Sequence, residues 1–382
     1  KIMMSPEGKK DRIIEALKRV VLKSSELRPL VMAFEDLHWI DKSSEDCFRA
    51  LLESISGEKI FLIFTYRPEY IYAWSGISYH NEVNLSRLTN RESLAMVMYL
   101  LGTKEINKKL EQVILEKTEG VPFFIEEFTK SLKDLKLIDR HNGQYRLAKN
   151  MEAVSIPSTI QDVIMARVDA LPEGAKEVLQ TGSVIEREFS YELIKQVTGL
   201  PEQELLSRLS FLKDSELLYE RGMYPQSTYI FKHALTQEVV YSSLLKKERQ
   251  LIHERIGRVM EQLFHDRLPE FYETLAYHFQ LGQSDLKAVD YLIKSGEKSL
   301  KRFSVEEYNN YFQRAIDILT SKQEKSLEDK KLVIDLLIKW ALVYYYRGDA
   351  KGWTDQFMAH KDLAESVADL ESLGMYYAWL GF

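Results

Sequence analysis

The chain has 382 residues, 45% of them hydrophobic and 29% charged, with a formal net charge of −6. That length allows two to four domains with ordinary cores, and a mild acidity without long single-sign runs gives no general footprint for nucleic acid or an anionic membrane. One cysteine, Cys47, excludes an internal disulfide and fits a reducing cytoplasm. No apolar run approaches the ~20 residues of a spanning helix, and the N-terminus lacks a signal-peptide core, so neither a membrane partner nor export is expected. The chain opens at Lys1 without a Met and stops inside an apolar helical pattern, as expected of a piece of a longer protein.

In chain order, residues 10–23 place Ile13, Ile14, Leu17, Val20 and Val21 on one helical stripe. Two buried-type strands follow, 30–34 and 59–65, with a helix over 44–54 between them. That is a βαβ unit, so a parallel sheet is expected, with its chemistry at the carboxyl ends of the strands. Helices near 90–101, 105–117 and 122–137 form a small helical layer, and "HNGQYRLA" at 141–148 is a turn with a short strand. Ser158 or Thr159 can cap a helix running to about Ala170, and Pro172 starts another. Helices near 190–197 and 201–213, then strands near 216–220 and 228–232 with Gly222 and Pro225 in the turn, follow the plan of a winged helix. From His233 onward the pattern is helix after helix. "YFQRAIDIL" and the aromatic-rich stretch from Ala341 carry the spacings of a 34-residue helical hairpin, and Leu281-Gly282 and Arg347-Gly348 stand about two such periods apart. Tetratricopeptide-like repeats are therefore expected from about residue 270; an irregular helical bundle is the plainer alternative.

The chemistry concentrates where the first strand ends. "LVMAFEDLHWID" finishes an apolar run in two adjacent carboxylates, Glu35 and Asp36. At a strand terminus both can face a cleft, one holding Mg²⁺ and the other orienting a water, although a strand capped by solvated acids is an equally ordinary outcome. The second strand ends in Thr65, Tyr66 and Arg67. "EKTEGVPFFIEEF" sets Gly120 and Pro122 before a helix, and "FKHAL" follows the hairpin. In this order the set resembles the STAND class of signal-transduction ATPases, relatives of AAA+ proteins. It is closest to the module of multidomain adenylate/guanylate cyclases, Ser/Thr kinases and LuxR-type regulators.

The resemblance implies an α/β part followed by a mostly α part. Residues 1–87 would be a partial P-loop NTPase core with Walker B and sensor 1 but no Walker A, 88–155 a helical lid, and 156–232 a winged helix. Connecting helices would fill 233–268, and incomplete tetratricopeptide-like repeats 269–382. It implies Glu35 as the metal acid, Asp36 as the catalytic acid, and Thr65 and Arg67 as strand-end groups reading the γ-phosphate. Arg67 suits that task because its planar fork grips phosphate oxygens. Gly120 and Pro122 correspond to the turn that lets the lid lie on adenine, and His233 to the histidine that touches the β-phosphate of ADP. Ala234 stands where some relatives carry Asp. The implied cofactors are ATP/ADP and Mg²⁺.

No GxxxxGK(S/T) occurs anywhere in the sequence: "SPEGKKD" and "SGEKIF" both fail the pattern. That loop supplies the N–H cradle for phosphates, so the expectation is an ATPase or ATP sensor in the intact protein and an inactive fragment here. Zinc spacing and a Ser-His-Asp pattern are both missing, and Cys47 reads as a structural thiol. Between 158 and 232 there are 12 acids and 8 Lys/Arg, too acidic for phosphate neutralisation by the helix over 201–213, which offers only Arg208 and Lys213. No nucleic-acid partner is expected. The repeats suit a protein partner, nucleotide-dependent oligomers are allowed, and the output would be an attached domain such as a nucleotide cyclase. The alternatives are a non-catalytic protein-interaction scaffold and a DNA-binding transcription activator of the LuxR type whose reader lies elsewhere.

Overall fold

The computed structural model describes residues 6–72, 74, 79–141, 144–148, 159–302, 304–322, 324–347, 350–367 and 370–381. Ser158, the turn residues Asn142 and Gly143, and Gly348 lie outside the described residues. The chain is mostly helical with small sheets. It divides into two compact units, one made of the residues up to Val83 with those from Leu292 on, the other of Asn84–Tyr291.

The first unit opens with α1 (Pro6–Leu27), β1 (Leu30–Phe34), α2 (Lys42–Leu52) and β2 (Ile60–Phe64). The strands pair in parallel from Leu30↔Ile60 to Phe34↔Phe64. Asp41 stops the intervening loop by accepting the Ser44 N–H at 2.9 Å, which caps α2. Strand alternation sends Phe34, Ile60, Leu62 and Phe64 against a core of Leu37, Leu51, Leu52, Ile55 and Trp74, with Phe34 edge-on to Phe48 at 4.5 Å. The other sheet face carries Val31, Phe61 and Ile63, all exposed. The α1 stripe needs a correction: Val21 and Leu22 join this core, whereas Ile13, Leu17 and Val20 face solvent.

The second unit begins with α3 (Asn90–Leu101), α4 (Lys108–Thr118), α5 (Pro122–Asp134) and the hairpin β3 (Ile138–His141)–β4 (Gln144–Leu147). Thr89 and Glu92 form a capping box at α3. Helix α4 starts later than its periodicity predicts because Ile106 bridges Tyr145 of the hairpin and Asn107 takes the cap. Helix α5 stops at Asp134 because Lys136 turns left-handed (φ 55°) and leads into β3. Val97, Leu110, Ile114, Ile125, Phe128 and Leu132 fill the core between these elements.

Then follow α6 (Ile160–Asp169), α7 (Glu173–Ile185), β5 (Glu188–Ser190), α8 (Tyr191–Thr198), α9 (Glu202–Asp214), β6 (Leu218–Arg221) and β7 (Thr228–Phe231). The three strands form one antiparallel sheet in the order β5-β7-β6. Phe189, Tyr229 and Phe231 are buried together on one face of it, with the Phe189 ring against Gly182 of α7. Helices α10 (Ala234–Ser243), α11 (Lys246–Leu263) and α12 (Tyr272–Leu281) continue from it.

The chain goes on through α13 (Asp285–Lys301), α14 (Val305–Ser321), α15 (Leu327–Arg347), α16 (Ala350–Ala359), α17 (Lys361–Glu365) and α18 (Leu370–Gly381). Gly296 lets α13 meet α14 closely, since a Cβ there would stand 2.7 Å from the Phe312 ring. Trp340 of α15 is buried and donates its Nε1–H to Asn309 of α14 at 2.9 Å. These are helical hairpins of repeat character, but the period drifts. From the start of α12 to that of α14 is 33 positions, and from α13 to α15 it is 42. Among the described residues no helix is long and apolar enough to cross a membrane.

Candidate functional site

At the carboxyl edge of the first unit's strand pair, Glu35, Asp36, Thr65 and Arg67 are all exposed. The backbone binds the two strand ends together. Thr65 N–H donates to Phe34 O at 3.0 Å, Leu37 N–H donates to Thr65 O at 2.8 Å, and Asp36 N–H donates to the Thr65 hydroxyl at 3.0 Å. Asp36 takes the left-handed conformation (φ 55°, ψ 42°), which Asp tolerates better than most residues and which swings the chain into a 3-10 turn over Leu37–Trp39. Buried Leu37 pins that turn. The arrangement therefore presents two carboxylates, a hydroxyl and a guanidinium at one sheet edge. Neither Glu35 nor Asp36 is in an ion pair among the described residues, so both are free to act as hard oxygen ligands. His38 follows with both ring nitrogens buried and without a hydrogen-bond partner.

Gly120, Pro122 and His233 lie in the second unit. Gly120 has φ +74°, and a Cβ there would come 2.3 Å from the Leu88 carbonyl oxygen. Its own carbonyl accepts the Leu88 N–H at 2.8 Å. Only glycine satisfies both demands. Pro122 then opens α5 at a position whose N–H would be orphaned anyway. His233 is the N-cap residue of α10, and its ring lies 4.2 Å from that of Phe123, the residue after Pro122, tilted by 48°. The structure thus brings the Gly120–Pro122 turn and His233 together around the first turn of α5.

A charge cluster absent from the sequence reading surrounds that contact. Arg167 of α6, 5% exposed, donates to Glu127 of α5, 2% exposed, and to the Ser215 carbonyl at 2.8 Å. Lys130 and Lys232 reach Glu126 at 2.8 and 2.7 Å, and both also pair with Glu216. Burial raises the Glu126 carboxyl, but the two ammonium groups outweigh it and hold it down at about 2. Hydrogen bonds from the same two lysines hold Glu216 at about 2. His233 Nε2 stands 3.9 Å from Glu127 Oε1, and burial pushes the imidazole below its ordinary value, so the ring is neutral at pH 7. The signal that could have found this cluster is Arg167 itself, which falls on the apolar stripe of α6 with Val163, Ile164 and Val168.

The helix over 201–213, here α9, has both of its basic groups engaged. Arg208 pairs with Glu204 and Glu177 and donates to the Gly174 carbonyl, and Lys213 pairs with Glu220. Cys47 on α2 is half-buried, and burial raises its thiol.

Residues 89–146, from the cap of α3 into β4, match the family model of a domain of unknown function (DUF8739). An uncharacterised protein of Rhizobium meliloti (strain 1021) is 24% identical over 194 residues, which make up 50% of this chain and 18% of that protein. Among solved structures, a signal transduction ATPase with numerous domains (STAND) carrying a tetratricopeptide repeat sensor, from Pyrococcus horikoshii, is coarsely similar. Its TM-score is 0.43 at 14% identity, over 96% of this chain and 54% of that one. The chain spans less than a fifth of the first relative's length and about half of the second's.

Proposed function

We propose that this chain is the switch and sensor region of a signal-transduction ATPase. The observation that carries the reading is the parallel register of β1 and β2. It sets Glu35-Asp36 and Thr65-Tyr66-Arg67 side by side at the carboxyl edge, where open α/β sheets bind ligands. Two unpaired exposed carboxylates fit Mg²⁺, which takes oxygen ligands and keeps several waters. In this reading Glu35 holds the ion, Asp36 orients the attacking water, and Thr65 and Arg67 contact the terminal phosphate. Bound Mg²⁺ would supply charge neutralisation on the β- and γ-phosphates.

Helices α3–α5 serve as the lid, and α7–α9 with the β5-β7-β6 sheet as a winged helix. Gly120, Pro122 and His233 are the nucleotide contacts of the second unit. The helical hairpins from α12 onward take a protein partner, and the signal passes to an attached output domain, a nucleotide cyclase being one such domain. A non-catalytic scaffold is the second reading, which a degenerate loop in place of GxxxxGK(S/T) in the intact protein would favour.

The test joins this region to a P-loop segment and compares Glu35→Gln with Asp36→Asn. The first is expected to weaken Mg²⁺-dependent ATP binding. The second should spare binding and slow turnover by roughly 10²–10⁴-fold, since a water-orienting group acts in the transition state. Asn also tolerates the left-handed backbone at position 36. Two variants equal to the parent in both quantities would leave the scaffold reading standing.

A further inference from the structure

Two polar atoms in the second unit's charge cluster are buried and have no hydrogen-bond partner, Glu127 Oε1 and His233 Nε2. They face each other at 3.9 Å, beyond hydrogen-bond reach. With the imidazole proton on Nδ1, two lone pairs confront one another, and an unmatched buried carboxylate oxygen costs about 1–3 kcal/mol or more. Glu126 brings a third candidate ligand atom, and all three lie within 4.8 Å of one another. We propose that Glu126, Glu127 and His233 bind a divalent transition-metal ion of the zinc type. The inference goes beyond the nucleotide reading, in which Mg²⁺ is assigned to Glu35, and competes with it for one residue, since a His233 Nε2 that holds the ion does not contact a phosphate.

Metal–ligand bonds of about 2.0–2.2 Å at a tetrahedral angle set ligand atoms roughly 3.4 Å apart, so the 3.9 Å between Oε1 and Nε2 would close by about half an ångström on binding, and the Glu126 oxygen, within 4.8 Å of both, would move in with them. One imidazole and two carboxylates suit zinc, cobalt or manganese better than the all-oxygen ions, and three protein ligands leave a position open. The flanking cations leave one oxygen of each carboxylate open. Lys130 and Lys232 both hold Oε1 of Glu126, and Arg167 holds Oε2 of Glu127, so each carboxylate keeps its other oxygen. Such outer partners fix ligand orientation. Around the site Glu126, Glu127, Asp134 and Glu216 face Arg167, Lys130 and Lys232, one negative charge in excess before an ion enters. A bound ion would clamp the first turns of α5 to the β7–α10 junction.

The test titrates the purified chain with Co²⁺ alone, following its visible d–d absorption, and then displaces it with Zn²⁺. The expected result is one saturable site per chain. The His233→Ala and Glu126→Gln variants, checked for folding by circular dichroism, should each lose affinity about tenfold or more. Zn²⁺ should raise the thermal midpoint of the parent and not of the variants. Glu127→Gln is left aside because it also strips Arg167 of its partner. The absence of a saturable band, or a band that survives both substitutions, overturns the proposal.

Discussion

Arg167 sits where a helix usually keeps a Leu, and its consequences are energetic before they are functional. Its guanidinium and the Glu127 carboxylate are both almost fully buried, so removing one leaves the other uncompensated. Glu127→Ala or Arg167→Ala should cost about 3–5 kcal/mol. Breaking the exposed pair Arg87–Glu119 by Arg87→Ala should cost less than about 1 kcal/mol. Urea midpoints of the three variants check the contrast, and equal losses would mean that Arg167 is solvated in solution. His253 and His278 likewise occupy core positions, on α11 and α12, with their Nδ1 atoms 2.9 Å apart and Tyr241 on His253 Nε2 at 3.0 Å. Burial, and for each a neighbouring cation or histidine, lowers them to about 4 and about 3. Between pH 6.5 and about 4 the unfolded chain binds protons that the folded pair refuses. Stability therefore falls as pH falls, by about 1.4 kcal/mol per unit for each histidine, and is level above pH 6.5 as far as this pair is concerned. Glu126 and Glu216 act in the same direction, but only below about pH 4.5. Urea unfolding at pH 7.5, 6.0 and 5.0 should show the loss, reduced in His278→Leu; a flat profile over that range rules out a neutral buried pair.

At the scale of elements, the turn before α5 is the most constrained. Gly120→Ala meets both a positive φ and the Leu88 carbonyl, and should cost upwards of about 2 kcal/mol; Gly102→Ala, with φ +62° but open space around it, should cost only about 1 kcal/mol. Thermal melts of the two variants measure that difference, and similar losses would mean that the loop at Leu88 simply moves aside. Such elements are legible because their signals are local. The apolar run of β1, the Thr159 cap and Pro122 at the head of α5 each act within a few residues. Strand β5 escaped notice because three residues carry no period, and only its pairing with β7, some forty positions away, makes it a strand. The charge cluster escaped for the same reason. Glu126 and Lys130 read as a surface i,i+4 pair, and the partner that buries them, Lys232, is 106 positions from Glu126. Helix α9 offers a further check. With Arg208 and Lys213 already paired to acids, it should show no salt-sensitive affinity for a random DNA duplex at physiological ionic strength. A sub-micromolar mobility shift, weakened by added salt, would contradict that.

For the whole molecule, the question is what the strand-end residues can do without a phosphate cradle. ATP brings its triphosphate to a chain of net charge −6. At the carboxyl edge of β1 and β2 it meets two exposed acids, Glu35 and Asp36, with the Thr65 hydroxyl and the Arg67 guanidinium. In nucleotide hydrolases most of the grip on phosphate comes from a loop of backbone N–H groups and a lysine at a helix N-terminus. The sequence has no GxxxxGK(S/T) to build one. Mg²⁺ on Glu35 would offset part of the repulsion, but an exposed carboxylate holds a well-hydrated ion weakly. The chain by itself is therefore expected to bind Mg-ATP with a Kd of about 1 mM or weaker, about 4 kcal/mol of binding free energy at most. It should release phosphate no faster than its Glu35→Gln/Asp36→Asn variant. Isothermal calorimetry and a steady-state phosphate assay on the same preparation decide it. Micromolar binding would mean that this chain builds a phosphate site from residues other than a P-loop. Turnover above the double variant would make Glu35 and Asp36 catalytic without one.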